Sequence, residues 1–209
     1  MSEIIVSKRD ARRVFDRDAQ RNRKRDAVLR VAAQSFNQKG FSNTSMDDVA
    51  SALGVSKPTV YQYFKSKQEL LYCCHQIAMD HGEEGIMLAH AHKGTGFEKL
   101  MVQVERYMRG VFGDLGTCPA LTDVDSLDPE RREEVIARRA KISAATANFI
   151  LTGIEDNSIV DCNPKLASLF TLGALNWIPL WYREEGPNTP DEIIKSFMRF
   201  FKSGLSAQD

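Results

Sequence analysis

The sequence predicts an all-α protein, and three observations carry that expectation. Apolar residues recur at three- and four-residue intervals along most of the 209 positions, and no segment sustains the period-2 alternation of a half-buried strand. Helix starts are marked repeatedly by Ser, Thr, Asp or Asn followed by proline or an acid, as at Asp128-Pro129-Glu130 and Thr189-Pro190-Asp191-Glu192. A hydrophobic content of 43% supports a buried core and argues against disorder. No run of 18 apolar residues offers a membrane span. The stretch from Met1 to Arg25 is polar and lacks the apolar segment of a secretory signal, so a cytoplasmic protein is expected. The four cysteines, with Cys73 and Cys74 adjacent and Cys118 and Cys162 apart, are expected as reduced thiols.

Residues 1–21 form a basic N-terminal arm carrying Lys8, Arg9, Arg12, Arg13, Arg17 and Arg21. With little apolar periodicity, it reads as a frayed helical extension, a disordered tail, or an arm that touches phosphates or a minor groove. From about Asn22 to Lys39, Leu29, Ala32, Ala33 and Phe36 make one apolar stripe, and Gly40 is a natural stop. Ser45 caps the next helix, with Asp48 in a capping-box place and Met46, Val49, Ala50 and Leu53 at helical spacing before Gly54. Ser56 opens a short helix with Pro58 in its first turn and Val60 and Phe64 facing inward. Ser66, followed by Glu69, caps a fourth helix expected to run through Leu70, Leu71 and Ile77 to the Gly82–Gly85 region. Past Gly94-Thr95-Gly96, helices are expected at about 97–113, 128–155, 165–182 and 190–204, with Asn163-Pro164 as a further start and Pro179 as a kink. The organisation is therefore an arm (1–21), a helix-turn-helix unit (22–68) and a larger helical body (69–209), with the boundary near residues 65–75.

Charge divides the chain in the same way. Residues 1–67 hold fourteen Lys and Arg against seven Asp and Glu, within a chain of zero net charge. A basic first third on an acidic body suits a polyanionic partner. The motif in 45–64 makes that partner specific. A helix of about eight residues, a tight turn at Gly54-Val55 and a second short helix form a helix-turn-helix, whose second helix can enter a major groove. Lys57 can reach guanine acceptors or phosphate, Thr59 a base edge or phosphate, and Gln62 can pair with adenine. Tyr61 and Tyr63 offer hydroxyls to phosphates. The helix starts at Ser45 and Ser66, with Thr44 and Lys67 beside them, can cradle phosphates through free N–H groups.

The stretch from Gly40-Phe41-Ser42-Asn43-Thr44-Ser45-Met46-Asp47-Asp48-Val49-Ala50 through Leu53-Gly54-Val55-Ser56-Lys57-Pro58-Thr59-Val60-Tyr61-Gln62-Tyr63-Phe64 to Lys67-Gln68-Glu69-Leu70-Leu71 resembles the DNA-binding domain of TetR/AcrR-family regulators. The resemblance implies a three-helix DNA-binding domain, a helical ligand domain, and a homodimer on a palindromic operator that ligand binding releases. It places recognition-helix contacts on Lys57, Pro58, Thr59, Tyr61, Gln62 and Tyr63, helix-start contacts on Thr44 and Ser45, and a phosphate contact on Lys67. Tyr63 stands where the family often has His, and a phosphate contact survives that exchange.

In the C-terminal body, Asn176-Trp177-Ile178-Pro179-Leu180-Trp181-Tyr182-Arg183 with the following helix start resembles a branch of the same family that regulates lipid, sterol and aromatic-acid catabolism, several of whose members respond to acyl-CoA thioesters. A small hydrophobic or acyl-CoA-type effector, or another lipid or aromatic acid derivative, is the implied partner. Arg106, Tyr107, Phe112, Phe149, Asn176 and Trp177 mix apolar lining with polar anchors and are the candidate ligand residues. Plain packing also accounts for Trp177, Trp181 and Tyr182, and a surface position for Arg106. The acidity of this half weighs against a CoA, although Arg131, Arg132, Arg138, Arg139 and Lys141 could meet its phosphates. The resemblance also implies that the last two helices pair with their twofold mates in a four-helix bundle. Leu169, Leu172, Leu175, Phe197 and Phe201 are the candidates for that interface or the core beneath it. A metal- or redox-responsive regulator using Cys73, Cys74, His75, His81, His90 and His92 is the alternative, although no CxxC or HxxxH spacing is present. No phosphate-binding glycine loop, GxSxG or HExxH occurs, so no enzyme, cofactor or resident metal is expected.

Overall fold

The computed structural model describes residues 8–113 and 123–207, with side chains from residue 18 onward. The side chains of the basic arm before Asp18, and Cys118, lie outside the described residues. Among the described residues there are eight α-helices: α1 (Lys8–Lys39), α2 (Met46–Leu53), α3 (Lys57–Tyr61), α4 (Lys67–Ala91), α5 (Gly96–Val111), α6 (Pro129–Glu155), α7 (Pro164–Trp181) and α8 (Pro190–Leu205), with a short 3-10 turn at Val124–Ser126. None is long and apolar enough to cross a membrane.

Local chemistry sets most of the starts. Ser45, Thr95 and Thr189 each close a reciprocal capping box with the acid three residues on. Asp128 and Asn163 cap α6 and α7, with proline at the first helical position. Gly54 ends α2 at φ 65°, in the left-handed region where a Cβ is costly.

Three elements differ from the sequence expectation. α1 begins at Lys8, so helix runs unbroken through the expected arm boundary near residue 21. α3 stops at Tyr61, which leaves Gln62 and Tyr63 in the turn that follows. α4 passes Gly82 and Gly85 and ends at Ala91. These two glycines are points of close helix contact. A Cβ on Gly82 would sit 2.8 Å from Cδ1 of Ile142 on α6, and one on Gly85 would sit 2.9 Å from the Gln103 carbonyl of α5. Pro179 falls two residues before the end of α7, so little helix remains for it to bend.

Two cores result. The first gathers Val28, Leu29, Ala32, Ala33 and Phe36 of α1 with Val49 and Ala50 of α2, Val60 and Phe64 around α3, and Leu70, Leu71 and Cys74 of α4. It is closed by Leu127 and by Val135 of α6. The second packs Leu100, Val104 and Met108 of α5 against Phe149 and Ile150 of α6, Leu175 and Ile178 of α7, and Ile193, Ile194 and Phe201 of α8. α4 belongs to both, contributing Leu70 to one and Ala89 to the other. A fully buried leucine such as Leu70 contributes about 1.5–3 kcal/mol, so α4 is held firmly in the first core.

Polar contacts fasten the middle of α4 to α6. The Arg138 guanidinium meets Asp80 at 2.7 Å and Glu83 at 2.7 Å, and also contacts Gln76. The Tyr72 hydroxyl donates to Glu134 at 2.5 Å, and the Gln76 amide donates to the same carboxylate at 2.8 Å.

Candidate nucleic-acid interface and effector cavity

The helix-turn-helix presents Lys57, Pro58, Tyr61 and Gln62 to solvent while Val60 and Phe64 point into the first core. The Lys57 ammonium is already paired, 2.7 Å from Asp47 of α2, and that hydrogen bond and charge raise its pKa. Thr59 shares a 2.8 Å hydroxyl contact with Ser56. Tyr63 is half-buried against the first core. These groups can donate to and accept from base edges and phosphates.

The helix-start contacts are arranged differently from the sequence expectation. Thr44 is 2% exposed, and its hydroxyl donates to the Gly40 carbonyl at 2.9 Å and lies 3.2 Å from that of Ser35. It braces the α1–α2 loop. Ser45 is exposed, but its N–H donates to the Asp48 carboxylate at 2.8 Å. Hydrogen bonds from Ser45, with Lys39 nearby, hold the Asp48 carboxyl down at about 2, so the start of α2 carries a fixed negative charge. The start of α4 is occupied likewise: Ser66 accepts from the Glu69 N–H, and the Glu69 carboxylate accepts from the Lys65 N–H. Lys67 donates to the Phe41 carbonyl at 2.7 Å and sits 4.2 Å over the Phe41 ring, tying α4 to the α1–α2 loop.

In the larger body, a cavity of about 340 Å³ opens between four helices. Met79 of α4, Tyr107 of α5, and Arg139 and Ile142 of α6 form one side of it. Leu169, Leu172, Gly173, Asn176 and Trp177 of α7 form the other. The Tyr107 hydroxyl donates to the Asn176 side-chain oxygen at 2.7 Å, and burial raises the Tyr107 pKa. Arg139 Nη2 lies 3.2 Å from Nδ1 of His75, a fully buried side chain of α4. Burial, reinforced by the Arg139 charge, pushes the His75 imidazole down to about 3, so it is neutral. Nδ1 then accepts from the guanidinium and Nε2 carries the proton, with no hydrogen-bond partner among the described residues. Burial also lowers the Arg139 pKa.

Of the candidate ligand residues, Tyr107, Asn176 and Trp177 are brought together here. The other three face elsewhere. Arg106 pairs with Glu84 of α4, the Phe112 ring packs 4.8 Å from Tyr182, and Phe149 is buried 5.0 Å from the His90 ring. Met79 and Ile142 were not among the candidates, and Arg139 was considered only as one of several basic residues that could meet CoA phosphates. A signal for Arg139 exists in the sequence, because it falls on the stripe Val135, Ile142, Thr146 and Phe149 that α6 buries.

The candidate interface residues also divide. Leu175 and Phe201 are buried within the protomer, at 1% and 4% exposure, and serve its own core. Leu172 lines the cavity, and Phe197 is half-buried between Trp181 and Phe201. Leu169 both lines the cavity and reaches the surface. There it joins Leu166, Phe170, Trp177 and Trp181 along one face of α7, beside Phe200 of α8. Phe170 and Phe200 are 68% and 66% exposed. Such an apolar face is larger than scattered surface residues make.

Among the described residues no three His, Cys, Asp or Glu side chains gather as a metal set. Cys74 and His75 are buried, while His90 and His92 are exposed at the end of α4. Cys73, Cys74 and Cys162 are free thiols.

Comparison with known proteins accords with this arrangement. Residues 28–72 match the family model described as bacterial regulatory proteins, tetR family, and residues 93–205 match the tetracyclin repressor-like C-terminal domain. The transcriptional activator FasR of Mycolicibacterium smegmatis is 24% identical over 191 residues, covering 89% of this chain and 84% of FasR. Among solved structures, the TetR-family regulator PfmR of Thermus thermophilus is 29% identical with a TM-score of 0.69, covering 86% of this chain and 98% of PfmR. AibR, solved in complex with isovaleryl coenzyme A and operator DNA, shares the fold at 22% identity and a TM-score of 0.68, covering 84% of this chain and 96% of AibR. With both its helix-turn-helix and the larger part of its helical body matched, the chain belongs to the TetR family of DNA-binding transcriptional regulators.

Proposed function

We propose that the protein is a ligand-released repressor that binds a palindromic operator in the cytoplasm as a homodimer, with the cavity between α4, α5, α6 and α7 as its effector site. The observation that carries this reading is the placement of α4. Its first turns are locked into the core behind the recognition helix, and its middle supplies Met79 to the cavity wall. A ligand in the cavity acts on the element that positions the DNA-binding unit. The exposed face of α7 and α8 supports the homodimer, because a twofold axis through it would bury both copies at once. A small hydrophobic or acyl-CoA-type effector is supported by the mainly apolar wall, and AibR bound to isovaleryl coenzyme A is a precedent on the same fold. FasR is named as an activator, so the direction of control is tested together with the mechanism.

The test is selection of DNA sequences by the purified protein from a random library, followed by fluorescence anisotropy with the selected duplex. A palindromic site with half-site centres about one turn (~10 bp) or slightly more apart is expected. Isovaleryl-CoA or a related acyl compound should weaken binding to it. Linkage requires the DNA to weaken ligand binding by the same factor. Enrichment of no sequence, or of a single half-site without symmetry, would refute the dimeric-operator reading. Tighter DNA binding with ligand would refute release.

A further inference from the structure

Arg139 occupies a place on α6 where its neighbours on the same stripe, Val135 and Ile142, are apolar and buried. Its neighbour Arg138 has a structural role, clamping Asp80 and Glu83 across the seam between α4 and α6. Arg139 turns instead toward the cavity. Among the described residues it is the one cation in a wall that contains no carboxylate. The remaining polar groups there are Tyr107 and Asn176. Because the Tyr107 hydroxyl donates to the Asn176 oxygen, the Asn176 amide is left to offer hydrogens. The polar end of the wall is therefore rich in hydrogen-bond donors, and the rest is hydrocarbon. Guanidinium hydrogen bonds to an anion are short, directional and roughly twice as strong as neutral ones.

Taking the cavity as the effector site, as proposed above, we infer that it receives a compact amphiphile with a single carboxylate, whose oxygens meet Arg139 and the Asn176 amide while its hydrocarbon lies against Met79, Ile142, Leu172 and Trp177. The volume of about 340 Å³ is at the lower end of the ~300–1,000 Å³ range of ligand sites. It suits a medium-chain or aryl-alkyl acid and leaves the nucleotide of a CoA thioester outside. The same guanidinium contacts His75 of α4. A carboxylate that draws Arg139 toward the cavity loosens that contact, so the charge is registered on the helix shared with the DNA-binding unit.

The experiment compares acid with alcohol of the same skeleton. Octanoate, octan-1-ol, 3-phenylpropanoate, 3-phenylpropan-1-ol and octanoyl-CoA are titrated by calorimetry into the wild-type protein, Arg139→Met and Arg139→Lys, and operator affinity is measured in parallel. At least one acid is expected to bind the wild type about tenfold or more tightly than its alcohol, as a charged hydrogen bond requires. Arg139→Met should erase that preference, and Arg139→Lys should restore part of it. The acid–alcohol comparison in the wild type stands whether or not Arg139→Met folds. Equal affinity for acid and alcohol, binding of neither acid, or an Arg139→Met variant that keeps the preference would overturn the inference. Binding of octanoyl-CoA without octanoate would overturn it too, yet leave a ligand-responsive regulator in place. An acid that binds through Arg139 without changing operator affinity would uphold the carboxylate site and refute release from DNA.

Discussion

Replacing Phe170 by alanine should weaken the dimer without unfolding the protomer. In the single chain, Phe170 makes one ring contact, to Phe201 at 6.4 Å, and leaves 68% of its surface exposed. Burying a whole phenylalanine contributes about 1.5–3 kcal/mol. The two thirds still available to a partner are then worth roughly 1–2 kcal/mol. Twofold symmetry removes the side chain twice, so the loss per dimer is about 2–4 kcal/mol. At a tenfold change for each ~1.4 kcal/mol, the dissociation constant rises by roughly 30- to 700-fold. Sedimentation velocity over a dilution series reads this directly, and circular dichroism checks that helicity is kept. Val55→Ala, an exposed position in the helix-turn-helix, serves as the control. A folded Phe170→Ala protein that dimerises like the wild type would refute the assignment of this face.

Four further outcomes follow from contacts in the structure. Lys57→Ala should weaken operator binding and reduce the salt dependence of affinity by about one unit of slope. Asp47→Asn should tighten binding, since it removes an acid from the DNA face and frees Lys57; anisotropy at several salt concentrations that shows Asp47→Asn weakening the complex would contradict that placement. His75 makes stability fall on acidification. Its imidazole stays neutral in the fold down to about 3, whereas the unfolded chain protonates near ~6.5, so the unfolded state binds the extra proton between those values. The loss reaches about 2 kcal/mol at pH 5 and is absent above about pH 7. Urea unfolding of His75→Gln should show a flatter dependence over that window, and an unchanged slope would sink the assignment. Gly96→Ala should cost about 3 kcal/mol or more, because its Cβ would collide with the Gly153 backbone nitrogen, which cannot rotate away. A midpoint drop of roughly 6–12 °C is expected in thermal melts, and an unchanged midpoint would show that α5 and α6 are not so closely packed.

The parts of the fold that were legible in the sequence are those set by local chemistry. Ser45, Thr95, Asp128, Asn163 and Thr189 start helices because their own side chains satisfy N–H groups one turn on, and that signal is independent of tertiary context. Gly82 and Gly85 misled for the converse reason. A glycine that ends a helix and one that lets another helix approach look alike until the neighbour is known. The early turns of α1 were ambiguous because they lack an apolar stripe, so periodicity had nothing to register. Tyr107 lines the cavity and Arg106 does not, although they are adjacent. They point about 100° apart around the helix, and packing decides which of them faces inward. Arg139 was legible only as one of several basic residues on α6, because a half-buried guanidinium reads like the solvated ones.

The two cores also bear on how such a regulator could be rewired. A cut between residues 68 and 69 would fall in the first turn of α4 and strip Leu70, Leu71 and Cys74 from the DNA-binding unit. It would also remove the lid formed by Leu127 and Val135, which lie about sixty residues further along. A chimera that grafts this reading head onto another sensor should therefore keep α4 through Cys74 and supply matching apolar residues at the two lid positions. Otherwise the graft would leave an apolar floor open to water, and poor folding would masquerade as lost operator recognition.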